Sequence, residues 1–238
     1  MKDPIFSSGV VHDVAWRARA ATGPMFPATT PLDHGPPVSE RVGARLREGR
    51  QARGLSVRAL ASTIGVSYSL ISQIERGKAN PSVGTLYAIV QELEISLDDL
   101  FADSSRAPGP QTPPQPESEL IQRAGSRATV DLASGVRWER LTPAPDPNVD
   151  FLYVVYEVGG ASCPPGTLMR HNGREYGLVL SGRLGATIGF NTYELGPGDS
   201  IVSDSTTPHR FWTISDQPAV VVWTVVGRAG DPRSQFSD

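Results

Sequence analysis

The sequence predicts a two-domain protein, with an all-α block over residues 38–103 and an all-β block over residues 120–228. In the first block, hydrophobic residues recur at helical spacing. In the second block, short runs of β-forming residues alternate with turns rich in Gly and Pro. Between the two blocks, residues 104–119 contain many Pro, Ser and Gln residues and lack hydrophobic ones, a composition typical of a linker.

The two ends of the chain have a different composition from the blocks. Residues 1–37 are rich in proline and are predicted to form a disordered tail, and residues 229–238 are predicted to form a flexible C-terminal tail. The alternative for the N-terminal segment is an arm that contacts DNA or a partner through Arg17 and Arg19.

Composition excludes several classes of protein. The 238 residues include 22 Lys and Arg and 25 Asp and Glu, a formal net charge of −3. No apolar run approaches the roughly 20 residues that a membrane-spanning helix needs, and the N-terminus lacks the apolar core of a secretory signal. Cys163 is the sole cysteine, so an internal disulfide is excluded. We therefore expect a cytoplasmic protein without membrane association.

The first block predicts five short helices. Leu86, Ile89, Val90 and Leu93 follow the spacing of one buried helical stripe. Two further segments, residues 57–64 and 68–76, are separated only by a tight turn at Gly65, with Ser67 placed to cap the second. The remaining helices are expected upstream of Gly54 and around Leu97, Leu100 and Phe101, where Ser96 is the predicted cap. A pair of helices joined in this way is typical of a helix-turn-helix.

Charge is distributed unevenly within this block. Residues 41–78 contain eight cations and two anions, whereas residues 79–103 contain five anions and no cation. A polyanion is therefore attracted to the side that holds the predicted turn and second helix.

The segment from Val42 to Phe101, which includes ISQIERGK followed by Asn80-Pro81, resembles the lambda-repressor-like, XRE-type helix-turn-helix family. The resemblance implies a five-helix DNA-binding domain whose recognition helix, residues 68–76, lies in the major groove. Tyr68, Ser69, Ser72 and Gln73 would then face base edges, and Gln73 could pair with adenine through two hydrogen bonds. The alternative is that Tyr68 and Gln73 are simply exposed surface residues.

The same resemblance assigns further roles. The residues expected near phosphates are Ser56, Arg76, Lys78 and Asn80, and Ser67 completes the predicted DNA-contacting set at the start of the recognition helix. Arg50 and Glu75 fall at positions that form a structural ion pair in the family, so we assign them to the fold.

The second block contains three residues of metal-binding type. His171 and Glu175 are four residues apart, and His209 begins a later predicted strand. Two imidazoles and a carboxylate could hold one face of a divalent metal ion and leave other positions open for water or a ligand.

The strings HNGREYGLVLSG and YELGPGDSIVSDSTTPHRFW resemble the two motifs of the cupin family, a double-stranded β-helix barrel. Glu175 and His209 match metal-ligand positions, and His171 matches the second histidine of the first motif. Met169 occupies the position of the remaining ligand, so three of the four family ligands are present. The resemblance implies one divalent ion, such as iron, zinc, manganese or nickel. It equally allows a metal-free pocket for an organic effector.

The predicted effector pocket contains six residues, namely Met169, His171, Glu175, Tyr176, His209 and Trp212. Arg170, Arg174 and Arg183 are expected near its rim, where they could attract an anionic small molecule. Cys163 has no partner for nucleophilic chemistry in the sequence.

These observations predict a transcriptional regulator that binds double-stranded operator DNA as a homodimer and a small-molecule effector through its cupin domain. The alternative is an enzyme. The same domain order resembles hydroxypropylphosphonate epoxidases, mononuclear iron enzymes with an accessory helix-turn-helix domain. A third possibility is a metal-free binding module whose helical domain acts only as a scaffold.

Overall fold

The computed structural model describes residues 38–101, 120–146 and 148–227. The predicted N-terminal tail, the linker over residues 104–119 and the C-terminal tail lie outside these described residues.

Four α-helices form the first block: α1 (Val38–Ala52), α2 (Val57–Thr63), α3 (Tyr68–Glu75) and α4 (Val83–Leu93). The last three begin at serine N-caps. The hydroxyl oxygens of Ser56, Ser67 and Ser82 accept hydrogen bonds from main-chain N–H groups three residues later. These caps explain why the segments start where the sequence predicts.

The expected fifth helix is a 3-10 helix, Leu97–Phe101, and not an α-helix. It is only five residues long, a length at which the tighter i to i+3 hydrogen bonding is common. Glu94 ends α4 in the left-handed backbone conformation, with φ of 49°. The first block therefore contains four α-helices and one 3-10 helix among its described residues.

Nine strands form two antiparallel sheets in the described part of the second block. The strands are β1 (Thr129–Leu132), β2 (Val136–Arg140), β3 (Val149–Tyr156), β4 (Arg174–Ser181), β5 (Leu184–Ile188), β6 (Asn191–Leu195), β7 (Ser200–Asp204), β8 (His209–Thr213) and β9 (Ala219–Val226). One sheet has the order β1-β2-β3-β9-β4-β7, and the other has the order β6-β5-β8.

The runs of β-forming residues predict strands over 151–158, 176–180, 186–190, 200–203, 210–214 and 219–226. Three observed strands lie outside these runs, namely β1, β2 and β6. Strand β2 contains Arg137, Glu139 and Arg140 and lacks an apolar run. It is nevertheless ordered by pairing on both sides, with β1 and with β3. Strand β6 is largely exposed and lies at a sheet edge, where few apolar side chains are needed.

The helices and the sheets share one continuous hydrophobic core, which includes Leu60 and Leu86 from the helices and Trp138 and Phe211 from the strands. Main-chain hydrogen bonds also cross between the two blocks. The N–H of Gly84 donates to the carbonyl oxygen of Ser162 at 3.1 Å, and the N–H of Ala133 donates to that of Pro81 at 2.8 Å. Helix α4 is therefore seated directly on the β domain. No helix of the described ranges has both the length and the apolar character needed to cross a bilayer.

Candidate functional site

Helix α3 presents one face to solvent and one to the core. Ile71 and Ile74 are buried, whereas Ser69 and Gln73 are exposed and Tyr68 is 52% exposed. The side-chain amide of Gln73 donates to the hydroxyl oxygen of Ser69 at 3.3 Å. A helix fixed on one side by core packing holds these polar side chains at defined positions on the other side.

The other residues expected at DNA differ in exposure. Ser56, Ser67, Arg76 and Lys78 are exposed, whereas Ser72 and Asn80 are partly buried. The exposed Arg58 of α2 was not singled out from the sequence. Its guanidinium carbon lies 5.6 Å from the ring centroid of Tyr68 and so extends the cationic surface beside α3. The sequence feature that indicates a DNA-facing role for Arg58 is its position in the basic segment, at the start of α2.

Arg50 of α1 and Glu75 of α3 meet in a two-pronged ion pair. Nε and Nη2 of Arg50 lie 2.5 Å and 2.8 Å from the two carboxylate oxygens. The third guanidinium nitrogen donates to the carbonyl oxygen of Leu55 at 2.7 Å. The hydrogen bond to Glu75 raises the pKa of Arg50 above its usual value, against the opposing effect of burial. This pair joins α1 to the end of α3.

The β domain brings His171, Glu175 and His209 together through main-chain pairing. Met169 and His209 exchange two hydrogen bonds of 2.9 Å, and the N–H of His171 donates to the carbonyl oxygen of Ser205 at 3.0 Å. Glu175 points inward from β4, directly opposite the buried Ser203 of β7. All three side chains are buried.

The polar atoms of the three side chains converge. A ligand atom from each lies within 4.8 Å of the others. Nε2 of His171 is 3.0 Å from one oxygen of Glu175, and Nε2 of His209 is 3.6 Å from the other. Nε2 of His171, Nε2 of His209 and Oε2 of Glu175 have no hydrogen-bond partner among the described residues.

The opposite nitrogen of each ring is occupied. Nδ1 of His171 is 2.9 Å from the carbonyl oxygen of Asn172, and Nδ1 of His209 is 2.8 Å from that of Thr207. A carbonyl oxygen only accepts, so each Nδ1 carries the proton and each Nε2 presents its lone pair to the shared centre. Burial lowers the pKa of His209, with Glu175 opposing the change, and so favours the neutral ring that binds metals. The donor set fits a divalent ion.

The space beside Glu175 is small and is walled by aromatic and aliphatic side chains. The cavity has a volume of about 10 Å³ open to the centre of a water molecule, which is room for about one water. Its walls include Glu175, Met169 and the rings of Tyr87, Trp138, Phe211 and Trp223. Tyr87 belongs to helix α4, and its ring stacks on that of His171 with centroids 3.9 Å apart.

Two residues of the predicted effector pocket lie elsewhere. Tyr176 directly follows the inward-facing Glu175, and Trp212 directly follows the inward-facing Phe211. The side chains of Tyr176 and Trp212 therefore project from the opposite face of their sheets. Tyr176 is 43% exposed, and Trp212 packs over Gly185. The cavity is lined instead by Tyr87, Trp138, Phe211 and Trp223. Phe211 could have been found by alternation from His209, whereas Tyr87 belongs to the helical block and carried no such signal.

Two of the three arginines expected at the pocket rim make contacts away from the three ligands. Arg183 pairs with Glu194 of β6 at 2.7 Å on the exposed surface, and Arg174 lies over the outward-facing ring of Tyr176. Cys163 is buried, with its thiol 3.2 Å from the carbonyl oxygen of Thr167.

Comparison with known proteins agrees with the two parts of the fold. The helix-turn-helix family model matches residues 46–100, and the cupin domain model matches residues 152–225. A solved HTH_3 family transcriptional regulator from Vibrio cholerae aligns with a TM-score of 0.56 and 25% identity, covering 79% of this chain and 96% of that one.

The chain is therefore an XRE-type helix-turn-helix transcriptional regulator with a C-terminal cupin domain. It is homologous to regulators of the PuuR type. The HTH-type transcriptional regulator PuuR of Escherichia coli is 29% identical over 169 residues, which is 71% of this chain and 85% of that protein. The regulator SutR of the same organism is 25% identical over 167 residues, 69% of this chain and 84% of its own length.

Proposed function

We propose that this regulator recognises a specific operator sequence through helix α3, binds it as a homodimer, and responds to a small-molecule effector at a divalent metal held by His171, Glu175 and His209. The observation that carries the proposal is the pairing of two features in one chain. One is a core-anchored helix with exposed Ser69 and Gln73, and the other is a buried set of three unpaired metal-ligand atoms.

Sequence recognition rests on the polar face of α3. Gln73 offers a donor and an acceptor for adenine, and Ser69 offers a hydroxyl to either kind of base edge. Tyr68 and Ser72 extend this face toward neighbouring bases. Ser56, Ser67, Arg76, Lys78 and Asn80 are proposed phosphate-side contacts, which position the helix without reading the sequence.

The DNA proposal is tested by selecting binding sites from random duplexes and measuring affinity at fixed salt. The double variant Ser69→Ala, Gln73→Ala should lose about tenfold or more of the ratio between selected and scrambled duplexes, since each base contact contributes about 1–3 kcal/mol of discrimination. Gln91→Ala, which removes an exposed glutamine from α4, is the matched control and should keep the ratio. A double variant that discriminates as the parent does would refute the proposal.

The metal proposal rests on the fit described above. A bound divalent ion would supply a Lewis-acidic position to which an oxygen or nitrogen atom of an effector binds. The protein's own residues exclude bulk water from this position, because the cavity walls are aromatic and the three ligands are buried. The candidate ions are iron, zinc, manganese and nickel.

Equilibrium dialysis tests this site. The parent should bind one ion per chain, and Glu175→Gln should weaken binding by at least about tenfold, because a neutral amide replaces the only anionic ligand. Glu194→Gln, at an exposed carboxylate, is the control. Parent protein that binds no ion would refute the metal site. Oxygen consumption by the iron-loaded protein with a substrate would favour the enzyme alternative.

The homodimer is supported by apolar side chains on the outer face of the larger sheet. Tyr176 of β4 and Val202 of β7 are directly paired and exposed, and Leu178 lies beside them. A dimer places its recognition helices about 34 Å apart, one turn of DNA. Sedimentation of the parent and of Leu178→Glu tests this assembly, with a monomeric parent as the refuting result.

A further inference from the structure

Helix α4 is seated on the β domain at very short range. Gly84 donates its main-chain N–H to Ser162, and a Cβ atom at position 84 would lie 3.3 Å from Cβ of Met169 and 3.6 Å from Cβ of Cys163. Only a residue without a side chain allows this approach without displacement of a neighbour. The segment of residues 162–169 that receives α4 leads directly into His171.

Tyr87 lies one helical turn beyond Gly84 and closes the cavity from the helical side. It is 3% exposed, and its ring lies nearly parallel to that of His171, with an interplanar angle of 11°. Its ring also meets that of Trp138 edge-on, with centroids 5.6 Å apart. The face of a proposed metal ligand is therefore covered by a side chain of the DNA-binding domain.

The remaining aromatic walls stand on strands, whereas Tyr87 stands on a helix. Trp138, Tyr156, Phe211 and Trp223 belong to strands whose main chains are paired within the sheets. Tyr87 stands on a helix that meets the β domain through side-chain packing and through the hydrogen bonds near its N-terminal end. Since the cavity holds about one water molecule, a larger ligand needs one wall to move, and Tyr87 is an aromatic wall that the helical block supplies.

A second hollow shows that α4 is incompletely packed where it meets the β domain. It has a volume of about 380 Å³ and lies between the helices and the segment of residues 163–170. Gly84 and Ala88 of α4 line it, together with Ile64 beyond α2 and Leu168 of the β domain. Helix α4 therefore has free space beside it along the surface at which it meets the β domain.

We propose that Tyr87 is the gate of the cupin ligand site. A ligand larger than a water molecule reaches His171, Glu175 and His209 only when α4 separates from residues 162–169. An occupied site and a seated α4 then exclude each other, so the ligand shifts the helical domain toward its separated state. The inference rests on the proposed function in taking the three residues as the ligand site.

A reversible covalent lock tests the gate. Gly84→Cys places a thiol opposite the native Cys163, at a Cβ separation within the range of disulfides. Because the parent has a single cysteine, the introduced pair is the only internal crosslink available. Diamide oxidises the two thiols to a disulfide, which locks α4 in place, and dithiothreitol reduces it again. Thiol titration measures how much disulfide has formed. Gly84→Ser treated with diamide is the matched control.

Access to the site is measured with diethyl pyrocarbonate, which modifies neutral imidazoles and is far larger than water. Peptide mass spectrometry gives the rates at His171 and His209. The locked protein should react at least about tenfold more slowly at both histidines than the reduced protein, and diamide should not change the rates in Gly84→Ser. Equal rates in the locked and reduced forms would overturn the gate.

A second pair of variants tests the gate without the disulfide between positions 84 and 163. Tyr87→Ala should speed modification of His171 and His209 about tenfold, whereas Tyr87→Phe, which keeps the ring, should match the parent. An unchanged rate in Tyr87→Ala would overturn the gate. Zn²⁺ alone serves as the probe of the proposed function, since bound metal protects both histidines. A lock effect without Zn²⁺ protection would refute the metal site and leave the gate standing.

Discussion

The ring of Tyr87 stacks on the imidazole of His171, with centroids 3.9 Å apart, and so places a side chain of the DNA-binding domain against a proposed metal ligand. The two blocks therefore communicate through direct packing. A response to ligand does not have to be transmitted along residues 104–119, because α4 itself lies in the shared core.

The close packing of α4 on the β domain predicts how the two blocks unfold. In the parent, far-UV circular dichroism, which reports mainly the helices, and tryptophan fluorescence should show one coincident urea transition, because one core connects both blocks. Gly84→Leu should split this transition, since a Cβ atom at position 84 would lie 3.3 Å from Cβ of Met169, so that Met169 or α4 has to shift. Three of the four tryptophans, Trp138, Trp212 and Trp223, lie on strands and report the β domain, and Trp16→Phe in all variants removes the fourth from the signal.

Ala88→Leu is the control for this experiment. Ala88 lies one turn further along the same helix and already carries a Cβ atom, so a leucine there extends an existing side chain toward the hollow of about 380 Å³. The circular dichroism and fluorescence transitions of Ala88→Leu should remain coincident. Coincident transitions in Gly84→Leu would contradict the direct seating of α4.

The Arg50–Glu75 pair predicts a large loss of stability on removal of one charge. The two side chains are only 10% and 7% exposed. Glu75→Gln leaves the Arg50 guanidinium buried without its counter-charge, and breaking such a pair costs about 3–5 kcal/mol of unfolding free energy. Urea denaturation measures the loss.

The exposed pair of Arg45 and Glu48 supplies the comparison. Its nitrogen and oxygen atoms are 3.1 Å apart, and the Glu48 side chain is 64% exposed. Glu48→Gln should cost less than about 1 kcal/mol, because solvent screens the pair. A similar loss in both variants would mean that the Arg50–Glu75 pair does not hold α1 to α3.

His209 predicts a dependence of stability on pH. Burial lowers its pKa in the folded state below the ordinary value of 6.5. As the pH falls below 6.5, the unfolded chain binds a proton at this residue before the folded chain does. The free energy of unfolding therefore decreases, by at most about 1.4 kcal/mol per pH unit from this group. Urea titrations of metal-free protein at pH 7.5, 6.5 and 5.5 measure the slope.

The variant His209→Gln removes this group from the linkage. Its overall stability is expected to be lower, but its slope between pH 6.5 and 5.5 should be shallower than that of the parent. Parallel slopes in the two proteins would show that His209 does not contribute.

Much of the helical block follows from local chemistry, and the structure places these elements near their predicted positions. Ser56 and Ser67 cap α2 and α3, and the stripe of Leu86, Ile89, Val90 and Leu93 is buried in α4. Strand alternation is equally local, so the outward direction of Tyr176 follows from its position next to the inward-facing Glu175. Strands β1 and β2 alternate only over residues 130–132 and 136–138, and they are ordered by pairing with their neighbours.

The sequence by itself determined the class of protein, the two domains and the three residues with metal-binding chemistry, since these depend on residue type and short-range spacing. Only the tertiary structure decided that Tyr87 covers His171 and that the cavity admits about one water molecule. Those features depend on how the two blocks pack against each other. That packing arises from shape complementarity across the whole interface, including the missing side chain at Gly84, and no local pattern encodes it.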